Sequence, residues 1–68
     1  MDYITWSRTY WEEADRVRER MERIRMKERT PQEEAVRKRR LAILYEMYLD
    51  CVHTARALER RAALERRQ

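Results

Sequence analysis

Apolar residues in the first part of the chain recur in steps of three and four, with polar and charged residues between them. Steps of this size put side chains on one face of an α-helix, and a narrow stripe is typical of a coiled-coil-like seam. Trp6 falls on the same side at helical spacing. The pattern predicts a first helix over about residues 3–28, with Asp2 or Thr5 as its N-cap. The stripe consists of Tyr3, Tyr10, Ala14, Val17, Met21 and Ile24.

A second and broader apolar stripe follows later in the chain, and Ile43 and Met47 widen it further between residues 41 and 49. A helix that is apolar around most of its girth is covered on more than one side, which one partner helix cannot do. The pattern predicts a second helix over about residues 31–66 and a second copy of the chain that completes a four-helix bundle. The stripe consists of Leu41, Leu44, Tyr45, Tyr48, Cys51, Val52, Ala55, Leu58 and Ala62.

The boundary between the two stripes is the segment Thr30-Pro31-Gln32-Glu33, in a chain of 68 residues with one proline and no glycine. Pro31 disfavours a helical conformation at Thr30 but fits the first position of a new helix. Thr30 followed by Glu33 matches the capping-box spacing. The sequence therefore predicts one all-α domain over residues 1–68, an antiparallel two-helix hairpin with its turn at about residues 29–30.

So short a turn also suggests how the helices align. We expect residue n of the first helix to lie level with residue 60 − n of the second, so that Tyr10 lies at the level of Asp50 and Val17 meets Ile43. The last turns of the second helix, from about Leu58, then project beyond the first helix or fray.

The small size of the chain favours assembly. A single core in so short a chain rarely supplies more than about 3–5 kcal/mol of stability. Cys51 is the only cysteine, so it forms no internal disulfide, and no Cys/His set has zinc spacing. We therefore expect a homodimer. The residues predicted to support self-association are Trp6, Tyr10, Trp11, Val17, Met21, Leu41, Ile43, Leu44, Met47, Tyr48 and Val52.

Positive charge is concentrated near the turn, where residues 16–40 hold eleven Arg or Lys against five Glu. Such a patch is able to hold the phosphates of a nucleic acid. The candidate contact residues are Lys27, Arg29, Arg37, Lys38, Arg39 and Arg40.

A solvated, self-paired face is the simpler interpretation of this charge. Several acids precede a base by four residues, which is ordinary support for an exposed helix face. No aromatic side chain is interleaved with the basic run. The expected pairs are Glu12 with Arg16, Glu19 with Arg23, Glu33 with Arg37 and Glu34 with Lys38.

Metal binding is a weaker candidate. Asp50 and His53 have the three-residue spacing of carboxylate-bundle metal sites, with Glu46 one turn earlier and Glu13 near the same level of the first helix. Helical angles place Glu46, Asp50 and His53 opposite the main stripe, facing water. We therefore assign no metal or cofactor.

Catalysis has no visible basis either. Cys51 and His53 diverge by about 200° on a helix, and Cys51 on the apolar stripe should have a raised thiol pKa. Ser7 is the only serine, and without glycine there is no phosphate-cradling loop. The sequence predicts no catalytic residue and no enzyme.

Trp11 and Ile4 lie off the centre of the first stripe. A tryptophan in such a position belongs to a dimer interface or anchors another protein, and the wide apolar zone at Ile43 and Met47 favours the dimer. The cap motif and the seams are generic and identify no family. The predicted function is a non-catalytic oligomerising interaction or adaptor module, and the alternative is an accessory nucleic-acid-binding protein that uses the basic turn end.

The apolar runs, the N-terminal segment and the single cysteine predict the compartment of the protein. The longest apolar run has five residues, short of the roughly 20 that span a membrane, so no membrane association is expected. The segment Met-Asp-Tyr-Ile-Thr does not resemble a secretory signal, and one free thiol suits a reducing compartment. These features favour a cytoplasmic location.

Overall fold

A computed structural model describes residues 2–27 and 30–67, which form two α-helices packed against each other as a hairpin. Helix α1 covers Tyr3–Met26 and helix α2 covers Pro31–Arg66. The rod measures 57 × 14 × 13 Å, and its radius of gyration is 16.2 Å, whereas a compact domain of this length has about 11 Å. The predicted all-α hairpin is confirmed. The predicted end of the first helix at residue 28 and the start of the turn at residue 29 lie outside the described residues.

Both helices begin at side-chain caps. The Asp2 carboxylate accepts hydrogen bonds from the backbone N–H of Ile4 at 3.0 Å and of Thr5 at 3.4 Å, and from the Thr5 hydroxyl at 2.6 Å. These bonds, with the Thr5 hydroxyl first, lower the pKa of Asp2. Thr30 caps α2, because its hydroxyl oxygen accepts from the backbone N–H of Glu33 at 3.3 Å. Pro31 stands at the first position of α2, so the cap predicted there is confirmed.

The face of α1 that packs on α2 follows strict alternating steps of four and three. Ser7 is 2% exposed and occupies one of these positions, whereas Trp6 is 41% exposed; the sequence placed Trp6 on this face, which is wrong. Ser7 is accommodated because its hydroxyl donates to the carbonyl oxygen of Ile4 at 2.7 Å, so the buried polar group is satisfied. We call this set the α1 core seam; it consists of Tyr3, Ser7, Tyr10, Ala14, Val17, Met21 and Ile24.

The facing surface of α2 has the same spacing, which is the heptad spacing of a coiled coil. Val52 is buried beside it. Tyr45, which the sequence placed in the stripe, is 51% exposed and lies on a flank instead. We call this set the α2 core seam; it consists of Leu41, Leu44, Tyr48, Cys51, Ala55, Leu58 and Ala62.

The two core seams align in a different register from the one predicted. Val17, Met21 and Leu44 form a buried cluster, with Ile24, Leu41 and Tyr48 packed against it. Matching the seams through this cluster places Val17 level with Tyr48 rather than with Ile43.

The new register also overturns the prediction for the end of α2. Leu58 and Ala62 are each 8% exposed, so these turns pack within the hairpin rather than project or fray. The cause lies in the packing of the core seams, because the contacts of Val17 and Met21 with Leu44 set how far α2 is displaced along α1.

Candidate interaction surfaces

A hydrogen bond between the helices holds Trp11 within the hairpin. Its indole N–H donates to a carboxylate oxygen of Glu59 at 2.5 Å, and both residues are half-buried. Helical side chains lean toward the N-terminus of their own helix, so in an antiparallel pair these two lean toward each other. Trp11 therefore has a partner within its own chain, which neither sequence interpretation of this residue included.

Most residues predicted to support self-association are occupied by the hairpin itself. Val17, Met21, Leu44 and Val52 are buried inside it. Leu41 and Tyr48 pack against its core cluster, and Tyr10 is half-buried. The structure leaves Ile43, Met47 and Trp6 exposed, at 55%, 42% and 41%. A second copy of the chain can reach these three without opening the hairpin.

Ile43 and Met47 belong to a second heptad-spaced row on α2. Each member stands one residue before a residue that faces α1, which turns the row about 100° around the helix. All members are exposed except Thr54, which is half-buried. We call this row the outer seam; it consists of Val36, Arg40, Ile43, Met47, Asp50 and Thr54. Sequence reasoning missed Val36, which is 54% exposed, although its seven-residue distance from Ile43 was the available signal.

Two aromatic pairs lie on other parts of the surface. The rings of Tyr45 and Tyr48 stack with centroids 6.4 Å apart, and those of Tyr3 and Trp6 stack at the same distance. Each pair is three residues apart on one helix, so neighbouring turns bring the rings together. Trp6 is therefore partly covered by its own helix.

A cleft of about 450 Å³ opens between the end of α1 and the start of α2. Among the lining side chains that the structure describes, five are cationic and one is a carboxylate. Of the predicted anion contacts, Lys27, Arg37 and Arg40 line it, Lys38 and Arg39 are exposed elsewhere, and Arg29 lies outside the described residues. We call this the basic cleft; it is lined by Arg20, Arg23, Ile24, Lys27, Glu33, Arg37 and Arg40.

Sequence reasoning identified Lys27 as a contact but missed Arg20 and Arg23 of α1. Arg20, Arg23 and Lys27 stand at steps of three and four, the same signal that identified the apolar stripes. The two arginines were instead counted within the general charge of residues 16–40.

The ion pairs differ from those predicted, because they join residues three apart rather than four. None of the ion pairs observed within the described residues involves Arg20, Arg23 or Arg40. Arg37 pairs with Glu34 rather than with Glu33, and its Nε–H is buried without a hydrogen-bond acceptor in the described structure. The pairs that form are Glu13–Arg16, Asp15–Arg18, Glu22–Arg25 and Glu34–Arg37.

The residues considered for metal binding and catalysis are arranged as the helical angles predict. Glu46, Asp50 and His53 are exposed, and the part of the chain that the structure describes has no group of three side chains able to hold a metal ion. Cys51 is half-buried. Burial, followed by the nearby carboxylates of Glu13 and Asp50, raises its thiol pKa, as the sequence predicts.

Comparison with family models, with curated proteins and with solved structures finds no match for this chain. Over residues 2–27 and 30–67, neither helix combines the length and the apolar character required to cross a membrane. The two surfaces described above are therefore interpreted from their own chemistry.

Proposed function

We propose that the protein is a non-catalytic interaction module that associates with a second copy of itself through the outer seam of α2. The observation that supports this most directly is the exposure of Ile43 and Met47, at 55% and 42%, on neighbouring turns of one helix face. Large apolar side chains grouped in this way mark interaction sites.

The outer seam is complementary to itself when two copies run antiparallel. With a twofold axis at the level of Tyr45, Ile43 faces Met47 of the second copy, and Arg40 faces Asp50. Val36 then faces Thr54 by the same symmetry. A twofold interface uses the same patch on both chains, and the four-and-three spacing suits the packing of one coiled-coil layer against another.

Charge selects the antiparallel arrangement over the parallel one. In a parallel pair, Arg40 would face its own copy and Asp50 would face its own copy. Like charges placed directly opposite destabilise an interface, whereas the Arg40–Asp50 pairing is attractive and fixes the register.

The exposed area of the hairpin is large enough to include an interface with a second copy of the chain. Its accessible surface is 5860 Å², whereas a compact monomer of the same mass exposes about 4,700 Å². A standard interface covers about 800 Å² on each partner, less than this excess. Two rods packed side by side would thus form a four-helix assembly in which each chain exposes an area closer to that of a compact protein.

The test is the oligomeric state of the wild-type chain and of Ile43→Glu, measured by sedimentation equilibrium. We expect the wild type to have twice the chain mass. Ile43→Glu should be monomeric and melt at a lower temperature, because association stabilises the folded chain. Tyr45→Glu is the matched control, since Tyr45 is 51% exposed but lies on a flank of α2 outside the outer seam; it should remain dimeric. A wild-type chain that is monomeric at micromolar concentration refutes the proposal, as does a dimer that Ile43→Glu leaves intact.

A further inference from the structure

We infer that the basic cleft binds the phosphate backbone of a single-stranded nucleic acid without reading its bases. This function is separate from self-association. It depends on two rows of cations on different helices, which enclose one concave space.

Cations outnumber acids among the described residues that line the cleft. Arg20, Arg23 and Lys27 of α1 line it with Arg37 and Arg40 of α2, and Glu33 is the one acid among the lining residues that the structure describes. In the described residues, Arg20, Arg23 and Arg40 take part in no ion pair. Several like charges around a concave space produce a positive potential that attracts anions.

Arg37 supplies a second, independent feature. Its Nη2 is bonded to Glu34, while its Nε–H is buried and has no acceptor within the described structure. A buried donor without an acceptor is unfavourable. Arg37 also lines the cleft, where the accessible part of its planar guanidinium suits the geometry of phosphate.

The length of the cleft matches a short stretch of one nucleic-acid backbone. Arg20 and Lys27 are seven residues apart on α1, about 10 Å along the helix. One nucleic-acid strand carries a phosphate about every 3.4 Å, so this length matches about three phosphates of one backbone. Over residues 2–27 and 30–67, Ile24 is the one apolar lining residue and no aromatic side chain lines the cleft, so these residues offer no platform on which bases stack. Contacts to phosphate alone carry no sequence information.

The test is fluorescence anisotropy with a labelled oligothymidylate across a range of salt concentrations. Three to four phosphate contacts should give a slope of about −2 to −3 in the logarithm of affinity against the logarithm of salt. The double variant Arg20→Ala/Arg23→Ala should bind at least about tenfold more weakly, with a slope smaller by about one to two. Alanine favours helix, and circular dichroism checks that each variant folds.

The matched control is Arg56→Ala/Arg60→Ala, which removes the same charge from exposed positions of α2 that do not line the cleft. It should lose much less affinity. The inference is overturned if the wild type does not bind at low salt or if both double variants weaken binding equally. It is also overturned if pyrophosphate binds as tightly as the oligonucleotide, since the cleft is then a site for small anions.

Self-association is measured on the same samples, so the two proposals fail separately. Arg40 borders both the basic cleft and the outer seam and is therefore left unchanged in these variants. A dimer that does not bind the oligonucleotide contradicts only the cleft, and a monomer that binds it contradicts only the outer seam.

Discussion

The indole N–H of Trp11 donates to the Glu59 carboxylate across 48 positions of sequence, at 2.5 Å. The bond links an early turn of α1 to a late turn of α2. Both side chains project from the same flank of the hairpin, next to the core seams. The bond is therefore directional support for the register, which apolar packing between two periodic seams leaves open to sliding by a heptad.

Removing the donor should lower stability. We expect Trp11→Phe, which keeps an aromatic ring but loses the N–H, to reduce the free energy of unfolding by about 1 kcal/mol, as measured by urea denaturation. Glu59→Gln retains an acceptor and should lose less. Equal stability of Trp11→Phe and the wild type would contradict a role for this bond in the hairpin.

The antiparallel pairing of the outer seam predicts a charge-swap result. Arg40→Asp and Asp50→Arg should each weaken the dimer, because each places like charges opposite one another. The double variant should recover the wild-type dimerisation constant in sedimentation equilibrium. Arg39→Asp makes the same charge change off the seam and should have little effect. A parallel dimer would show no such recovery, since the single and double variants would all resemble the wild type.

The close contact of the helices at Ala55 predicts that a larger side chain is not tolerated there. Ala55 is 0% exposed, and overpacking a well-filled core typically costs about 1–3 kcal/mol. We expect Ala55→Leu to lower the thermal midpoint of unfolding. Ala42→Leu adds the same side chain at an exposed position of α2 and should change stability by less than about 0.5 kcal/mol. Similar losses in both variants would contradict close packing at Ala55.

The cap at Thr30 should stabilise the start of α2. Thr30→Ala removes the hydroxyl that accepts from the Glu33 N–H and is expected to cost about 1 kcal/mol in urea denaturation. Thr30→Ser keeps the hydroxyl and should retain most of the stability. If serine is no better than alanine, the hydroxyl is not the stabilising group.

The raised pKa of Cys51 predicts a slow thiol reaction and a loss of stability in base. Burial, with Glu13 and Asp50 as further causes, favours the neutral thiol. Because the folded-state pKa is raised, this contribution is complete below the ordinary thiol pKa. It disappears as the pH rises through the folded value.

Alkylation by iodoacetamide at mildly alkaline pH should therefore be slower in the folded chain than in urea. Glu13→Gln removes one of the carboxylates and should speed the reaction of the folded chain, whereas Glu12→Gln is the control with the same charge change. If Cys51 reacts equally fast in the folded and the unfolded protein, the thiol pKa is not raised by folding.

Local sequence was enough to predict the elements and their caps. Pro31 cannot continue a preceding helix and Thr30 supplies a hydroxyl, so the boundary depends on chemistry within a few residues. The exposure of Asp50 and His53 was likewise predictable from helical angles alone. The ion pairs were not, because partners three and four residues apart are both within reach and the choice depends on rotamers.

The sequence by itself determined that this protein is two amphipathic helices with a capped boundary, because helical periodicity and capping act between near neighbours. Only the tertiary structure decided the register, because the register depends on which turns of the two core seams pack against each other. The helical phase of the α1 core seam buried Ser7 and left Trp6 exposed, whereas the register buried Leu58. The register also brought Arg20 and Arg23 to the same cleft as Arg37, since contacts between helices join residues that no local pattern relates.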